Sequence, residues 1–201
     1  DAAGLLDALE IPSAHVVGMS MGGMIAQQLT IDHPTRVRSL TSIMSHPGDG
    51  KSGRIAVKVM AKLARMDPPT RETAAQRSVD SFRLWSSPHF DADEHRARTQ
   101  RSIDRSFRPD GTLRQTTAIM ASPDRTPGLR SVRVPTLVVH GLLDKLVKPS
   151  GGVATATAVP ESRLLVFPDM GHDLPLPRRA ETIDAIRQNA DRCRESVDAL
   201  A

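Results

Sequence analysis

Three residues of this chain, Ser20, Asp144 and His172, are of the types that carry out nucleophilic acyl transfer when folding brings them together. A serine hydroxyl is a weak nucleophile alone. It needs a base to take its proton and an acid to orient that base. Ser20 lies in His15-Val16-Val17-Gly18-Met19-Ser20-Met21-Gly22-Gly23, where a β-branched run passes through Gly-x-Ser-x-Gly into Met24-Ile25-Ala26-Gln27-Gln28-Leu29. That order predicts a strand, a sharp turn and a helix, the form of a nucleophile elbow that lifts a serine hydroxyl above a sheet. Gly18 and Gly22 are expected to let the strand end and helix start approach closely, with Ser20 held in an unfavourable backbone conformation. Asp144 follows an apolar run that ends in His140-Gly141, and His172 follows one that ends at Phe167. Both therefore fall just past strand ends, where ligands meet the carboxyl edge of a parallel sheet. Asp169 and Asp173 are the alternatives to Asp144 for orienting the histidine. His15, His33 and His140 read as structural, and Met19, Met21 and Met24 as lining for an acyl pocket or core.

The elements that must position these groups follow from periodicity. Leu5, Leu6 and Leu9 mark the end of an amphipathic helix that Ile11-Pro12-Ser13 breaks. Strands are predicted over 14–18, 37–44, 134–141 and 163–167, and a helix from the elbow to Ile31. This strand–helix–strand rhythm implies right-handed crossovers and a parallel sheet. Between about 51 and 122 strand-like runs vanish. Ile55, Val59, Leu63 and Met66 make one helical stripe, with Lys58, Lys62 and Arg65 on another face. Such a basic amphipathic helix suits either a membrane surface or a cleft cover, and packing on its own domain is the plain reading. Asp91 with Glu94 forms a capping-box pattern for a helix running toward Phe107. Pro109-Asp110-Gly111 is expected to turn the chain before a helix over 112–121, and the last helix is expected over 178–192 with Ala180, Ile183, Ile186 and Ala190 inward.

Bulk properties narrow the function classes. A chain of 201 residues with 39% hydrophobic and 25% charged residues has the makings of one domain with a substantial core. The net charge of +4 comes from arginines interleaved with acids, and five aromatics without tyrosine leave little for stacking bases. Nucleic-acid binding is therefore not expected. No apolar run is long enough for a membrane span and no leader pattern opens the chain, so a cytoplasmic protein without a membrane role is expected. The single cysteine, Cys193, excludes an internal disulfide, and no zinc spacing occurs, so no metal is assigned.

Gly18-Met19-Ser20-Met21-Gly22-Gly23, His140-Gly141-Leu142-Leu143-Asp144-Lys145-Leu146-Val147 and Gly171-His172 together resemble the α/β-hydrolase superfamily over nearly the whole chain. Serine, aspartate and histidine also follow in that superfamily's order. Asp124-Arg125 and Val134-Pro135-Thr136 look like its esterase and enol-lactonase branch, including aclacinomycin methylesterase-like members. The resemblance implies an α/β chain carrying the C-terminal part of a parallel sheet flanked by helices. It divides the chain into hydrolase core over 1–45, a helical cap over 46–122 and core again over 123–201. It implies a cofactor-independent serine hydrolase for a small carboxylic ester or lactone, with Ser20 as nucleophile, His172 as base and Asp144 as acid. Met21 would supply a backbone oxyanion donor, with Met19 and Trp85 in the substrate pocket. A serine nucleophile argues against the dehalogenase and epoxide hydrolase branches, which carry aspartate there.

The resemblance also sets an expectation about what precedes the elbow. The family's further strands and its oxyanion loop, often an His-Gly motif, have no counterpart before Gly18, which makes the chain read as the C-terminal two-thirds of a hydrolase. The strand at 14–18 would then present an open edge, suited to self-association. Two other readings stand beside the esterase: a C–C bond hydrolase or perhydrolase with the same triad, and an inert fragment or hydrolase-like binding protein.

Overall fold

The β-branched runs form four strands, β1 (Ala14–Met19), β2 (Val37–Ile43), β3 (Thr136–Gly141) and β4 (Arg163–Phe167), adjacent in that order. Every neighbouring pair is parallel, so all four carboxyl ends share one edge. The computed structural model describes residues 1–198, with side chains through Cys193; residues 199–201, the end of the expected 123–201 segment, lie outside the described residues. β3 is buried at every position and β2 at all but Arg38, as expected for strands covered on both faces. Among the described residues β1 has only β2 beside it, and its Val17 and Met19 stand about half exposed, at 48% and 51%.

Helix α1 (Ala2–Ala8) precedes β1, and α2 (Met21–Asp32) leads through a 3-10 turn at Pro34–Arg36 into β2. Between β2 and β3 the chain forms α3 (Val57–Leu63), α4 (Ala74–Phe82), α5 (Ala92–Arg105), α6 (Pro109–Ala121) and α7 (Thr126–Leu129). Then α8 (Ser150–Ala158) joins β3 to β4, and α9 (Leu176–Asp198) follows the last strand. Packing places α2 on β1 and β2, α8 on β3 and β4, and α9 on β2 and β3. The central cluster is Ile43, Met44, Leu137, Val139, Phe167 and Met170, directly beneath the carboxyl edge. Among the described residues no helix is long and apolar enough to cross a membrane.

The helical segment shows where local signals sufficed. Asp91 caps α5, its carboxylate accepting from the N–H groups of Asp93 and Glu94 at 3.0 and 2.9 Å. Of the expected stripe, only Val59 and Leu63 fall on α3; Val59 is buried and Leu63 half-buried, while Ile55 and Met66 lie just outside the helix, both half-buried. Pro109-Asp110-Gly111 does not form a turn ahead of the helix as expected, and Pro109 already belongs to α6. It takes the first position of α6, where its missing N–H costs nothing.

The inner face of α9 differs in part from the expected one, since Ile186 packs on the core but Ala180 and Ile183 do not. Ile183 is 46% exposed and Ala180 lies on the surface, whereas Thr182 and Asn189 are buried. The Asn189 amide donates to Leu40 O at 3.0 Å and Pro135 O at 3.3 Å. Pro135 O also accepts from the Leu40 N–H at 3.0 Å, so the Asn189 side chain adds a donor between the starts of β2 and β3 and takes a place the apolar pattern does not announce.

Candidate active site

Ser20 lies one residue past β1 and immediately before α2. Its backbone adopts φ 55° and ψ −122°, a conformation that costs a non-glycine residue about 1–3 kcal/mol. The turn fits because Gly18 has no side chain: a Cβ there would lie 2.1 Å from Gly22 O. The paired expectation for Gly22 needs correction. A Cβ on Gly22 would meet nothing within 4 Å; the helix start instead crowds at Gly23, where a Cβ would lie 2.7 Å from that of Ser45. Close approach is thus set by the backbone of Gly22 and the absent side chains of Gly18 and Gly23.

Asp144 follows β3 by three residues and His172 follows β4 by five, and the parallel sheet brings both to Ser20. His172 Nδ1 lies 2.6 Å from Asp144 Oδ2, and its Nε2 lies 2.9 Å from Ser20 Oγ. An ionised carboxylate only accepts, so Nδ1 carries the proton and Nε2 is left to accept from the serine hydroxyl. Asp144 Oδ1 accepts from the N–H groups of Leu146 and Val147 at 2.9 and 2.8 Å. Burial pushes the Asp144 carboxyl up; the approaching N–H of His140, the hydrogen bond and charge of His172 and the Val147 N–H more than offset it. Its pKa ends below the ordinary carboxylate value. Met21 opens α2, so its N–H has no intrahelical acceptor and is available beside Ser20.

The loop carrying His172 is clamped to the helical segment. His172 N–H donates to Trp85 O at 2.8 Å, and a Cβ on Gly171 would come within 2.3 Å of that same oxygen. Asp173 accepts from the backbone N–H and the hydroxyl of Ser87, both at 2.7 Å. Asp169 is tied to Arg178 and His89. Neither alternative acid is therefore the carboxylate on the His172 ring. No sequence pattern pointed to Ser87 or to the carbonyl of Trp85, because both pairings join segments more than eighty residues apart.

A cavity of about 580 Å³ reaches His172, lined among others by Met19, Phe82, Phe90, His95 and Leu174. Met19, expected in the substrate pocket, is among the residues lining this cavity. Trp85 does not line this cavity; the residue is 6% exposed and its ring packs on Phe82, with centroids 5.6 Å apart. A larger recess of about 730 Å³ between α2 and α6 touches Met21 and Arg125 but none of Ser20, Asp144 and His172, so the smaller cavity is the one that serves this group.

Beneath the elbow lies a polar network that the sequence did not announce. Gln27, fully buried on α2, donates to Ser42 Oγ at 3.0 Å and accepts from Arg125 Nε at 3.1 Å. Arg125 also donates to His46 O at 3.1 Å. Burial lowers the pKa of both Arg125 and His46.

A parallel sheet with this elbow defines a class. The alpha/beta hydrolase fold family model matches residues 1–178, and the chain belongs to that family. Among curated relatives, rhodomycin D methylesterase DnrP of Streptomyces peucetius is 27% identical over 197 residues, covering 88% of this chain and 66% of its own length. The 2-hydroxy-6-oxo-6-phenylhexa-2,4-dienoate hydrolase of Comamonas testosteroni is 29% identical, covering 84% of this chain and 59% of its own. This chain thus spans slightly less than two thirds of these relatives. Among solved structures, the enol-lactonase from Burkholderia xenovorans LB400 matches with a TM-score of 0.69 at 22% identity, over 94% of this chain and 70% of that one. At that identity the likeness speaks for the fold.

Proposed function

We propose that this chain carries the catalytic apparatus of a serine hydrolase acting on a small carboxylic ester or lactone. The observation that supports it most is the continuous hydrogen-bonded path from Ser20 Oγ through His172 to Asp144, at 2.9 and 2.6 Å. In this reading His172 Nε2 takes the proton of Ser20 as Oγ attacks the substrate carbonyl. The developing oxyanion meets the Met21 N–H, worth about 10²–10³ in turnover for one such donor. His172 then gives its proton to the leaving alkoxide, and the acyl group stays on Ser20. A water that loses its proton to Nε2 attacks the acyl-enzyme; as the acyl–Oγ bond breaks, Nε2 returns that proton to Ser20 Oγ and the acid is released. Asp144 remains ionised throughout, holds the Nδ1–H tautomer and stabilises the ring when it is charged.

The helical segment of residues 46–122 is read as a cap, since Trp85 and Ser87 hold the base loop and Phe82 and Phe90 wall the cavity. A C–C bond hydrolase using the same three residues is the second reading, favoured by the dienoate hydrolase among the relatives. The test is hydrolysis of a short p-nitrophenyl ester, with fluorophosphonate labelling, by this chain and by Ser20→Ala. Activity and labelling that vanish in the variant support the assignment. Labelling that persists in Ser20→Ala overturns it.

A further inference from the structure

His140 is a buried ring beside the proposed acid that the reaction steps leave unused. It is 1% exposed, one residue before the end of β3. Its Nε2 lies 2.8 Å from Val147 O and 3.6 Å from Asp144 Oδ2. A carbonyl oxygen only accepts, so Nε2 carries a proton. Nδ1 is buried without a hydrogen-bond partner and faces Gly152 of α8, where a Cβ would come within 2.5 Å of it. With no acceptor there for a second proton, the surroundings select the Nε2–H tautomer and fix the ring plane.

Val147 connects this ring to the carboxylate. Its carbonyl accepts from His140 while its N–H donates to Asp144 Oδ1 at 2.8 Å. Oδ2, the oxygen that takes the short bond from His172, also faces the His140 N–H edge. At 3.6 Å that approach is too long for a good hydrogen bond, yet a dipole so aligned still attracts an anion in a dry interior.

We infer that His140 is a positioning residue: by pinning Val147 and presenting its Nε2–H toward Oδ2, it fixes the Asp144 carboxylate against His172 Nδ1. The kinetic consequence rests on the serine hydrolase reading, whereas the geometric one does not.

The test uses the full chain with His140→Leu, which removes the donor, and His140→Gln, which keeps an N–H at similar reach. His140→Leu should lower kcat for a short p-nitrophenyl ester on the order of tenfold with KM unchanged, because orientation rather than binding is lost. The far-downfield proton resonance of the His172–Asp144 hydrogen bond should shift or broaden in His140→Leu, and His140→Gln should restore most of both readouts. Gly152→Ala retains the ring but pushes on Nδ1, and should move the same resonance if His140→Leu fails to fold. An unchanged resonance in folded His140→Leu, or in Gly152→Ala where only that variant folds, overturns the inference. A resonance that responds in a chain that hydrolyses no ester supports it while counting against the serine hydrolase reading.

Discussion

Gly18 and Gly22 frame the same serine in sequence, and the structure separates them sharply. In Gly18→Ala the new methyl would lie 2.1 Å from Gly22 O, 2.4 Å from Gly22 C and 2.7 Å from Gly23 N. Ordinary contact begins near 3.4 Å, so the closest approach falls short by 1.3 Å. The obstacle is backbone, which cannot rotate aside as a side chain would. Either β1 or the start of α2 must move by about that distance, and Ser20 lies on the only connection between them. Overpacking of this kind costs about 1–3 kcal/mol of stability. A displacement near 1 Å at a nucleophile costs about 10²-fold in rate. Gly22→Ala meets nothing within 4 Å and sits in the first turn of α2, where alanine is a better helix former by up to about 1 kcal/mol. Urea denaturation and the rate of fluorophosphonate labelling of Ser20 read the two effects. Gly18→Ala should lower the midpoint and slow labelling by about two orders of magnitude, with Gly22→Ala at or above the parent on stability. Equal damage from the two substitutions would refute the reasoning, as would a Gly18→Ala chain that labels at the parental rate.

Two further outcomes follow from buried charge. Arg125→Met leaves Gln27 Oε1 and His46 O without their donor, at about 1–3 kcal/mol for each buried acceptor, offset in part because a guanidinium no longer has to be desolvated. A net loss of about 2 kcal/mol is expected from urea midpoints, and a loss below about 0.5 kcal/mol would count against the network. Burial lowers the pKa of His46, assisted by the Arg125 charge, and of His95, assisted by Arg98. The unfolded chain then binds more protons below the ordinary histidine value of about 6.5, so stability is full above it and falls as pH drops through the lower folded values. The melting temperature should decline from about pH 7 to about pH 5, a flat profile being the contrary result. The depressed Asp144 carboxyl adds stability that is present above its unfolded value and lost only at still lower pH, as it protonates in the folded state.

Much of the scaffold was legible because it is written in local pattern. β4 falls on Arg163–Phe167 as the apolar run suggested, and β1, β2 and β3 fall within a residue or two of their expected bounds. The α8 helix escaped notice, since Ser150-Gly151-Gly152 and interspersed threonines carry neither strong propensity nor clear periodicity. The inner face of α9 was legible only in part: Ile186 packs on the core as expected, but Asn189 takes an inward place by bonding Leu40 O and Pro135 O, groups distant along the sequence.

By itself the sequence determined the succession of the four strands, the elbow and the places of Ser20, Asp144 and His172 at strand ends, since turn chemistry and side-chain period act between near neighbours. Which carboxylate meets the histidine was decided only by tertiary structure. Asp169 and Asp173 are nearer to His172 in sequence, yet the parallel pairing of β3 with β4 puts Asp144 against its ring and leaves the others to Arg178, His89 and Ser87. The inward turn of Trp85, the Gln27–Arg125 network and the seating of His140 beside Asp144 were decided there too. Each of these joins groups distant along the chain, and such groups become neighbours only when the packed core leaves a single place for each.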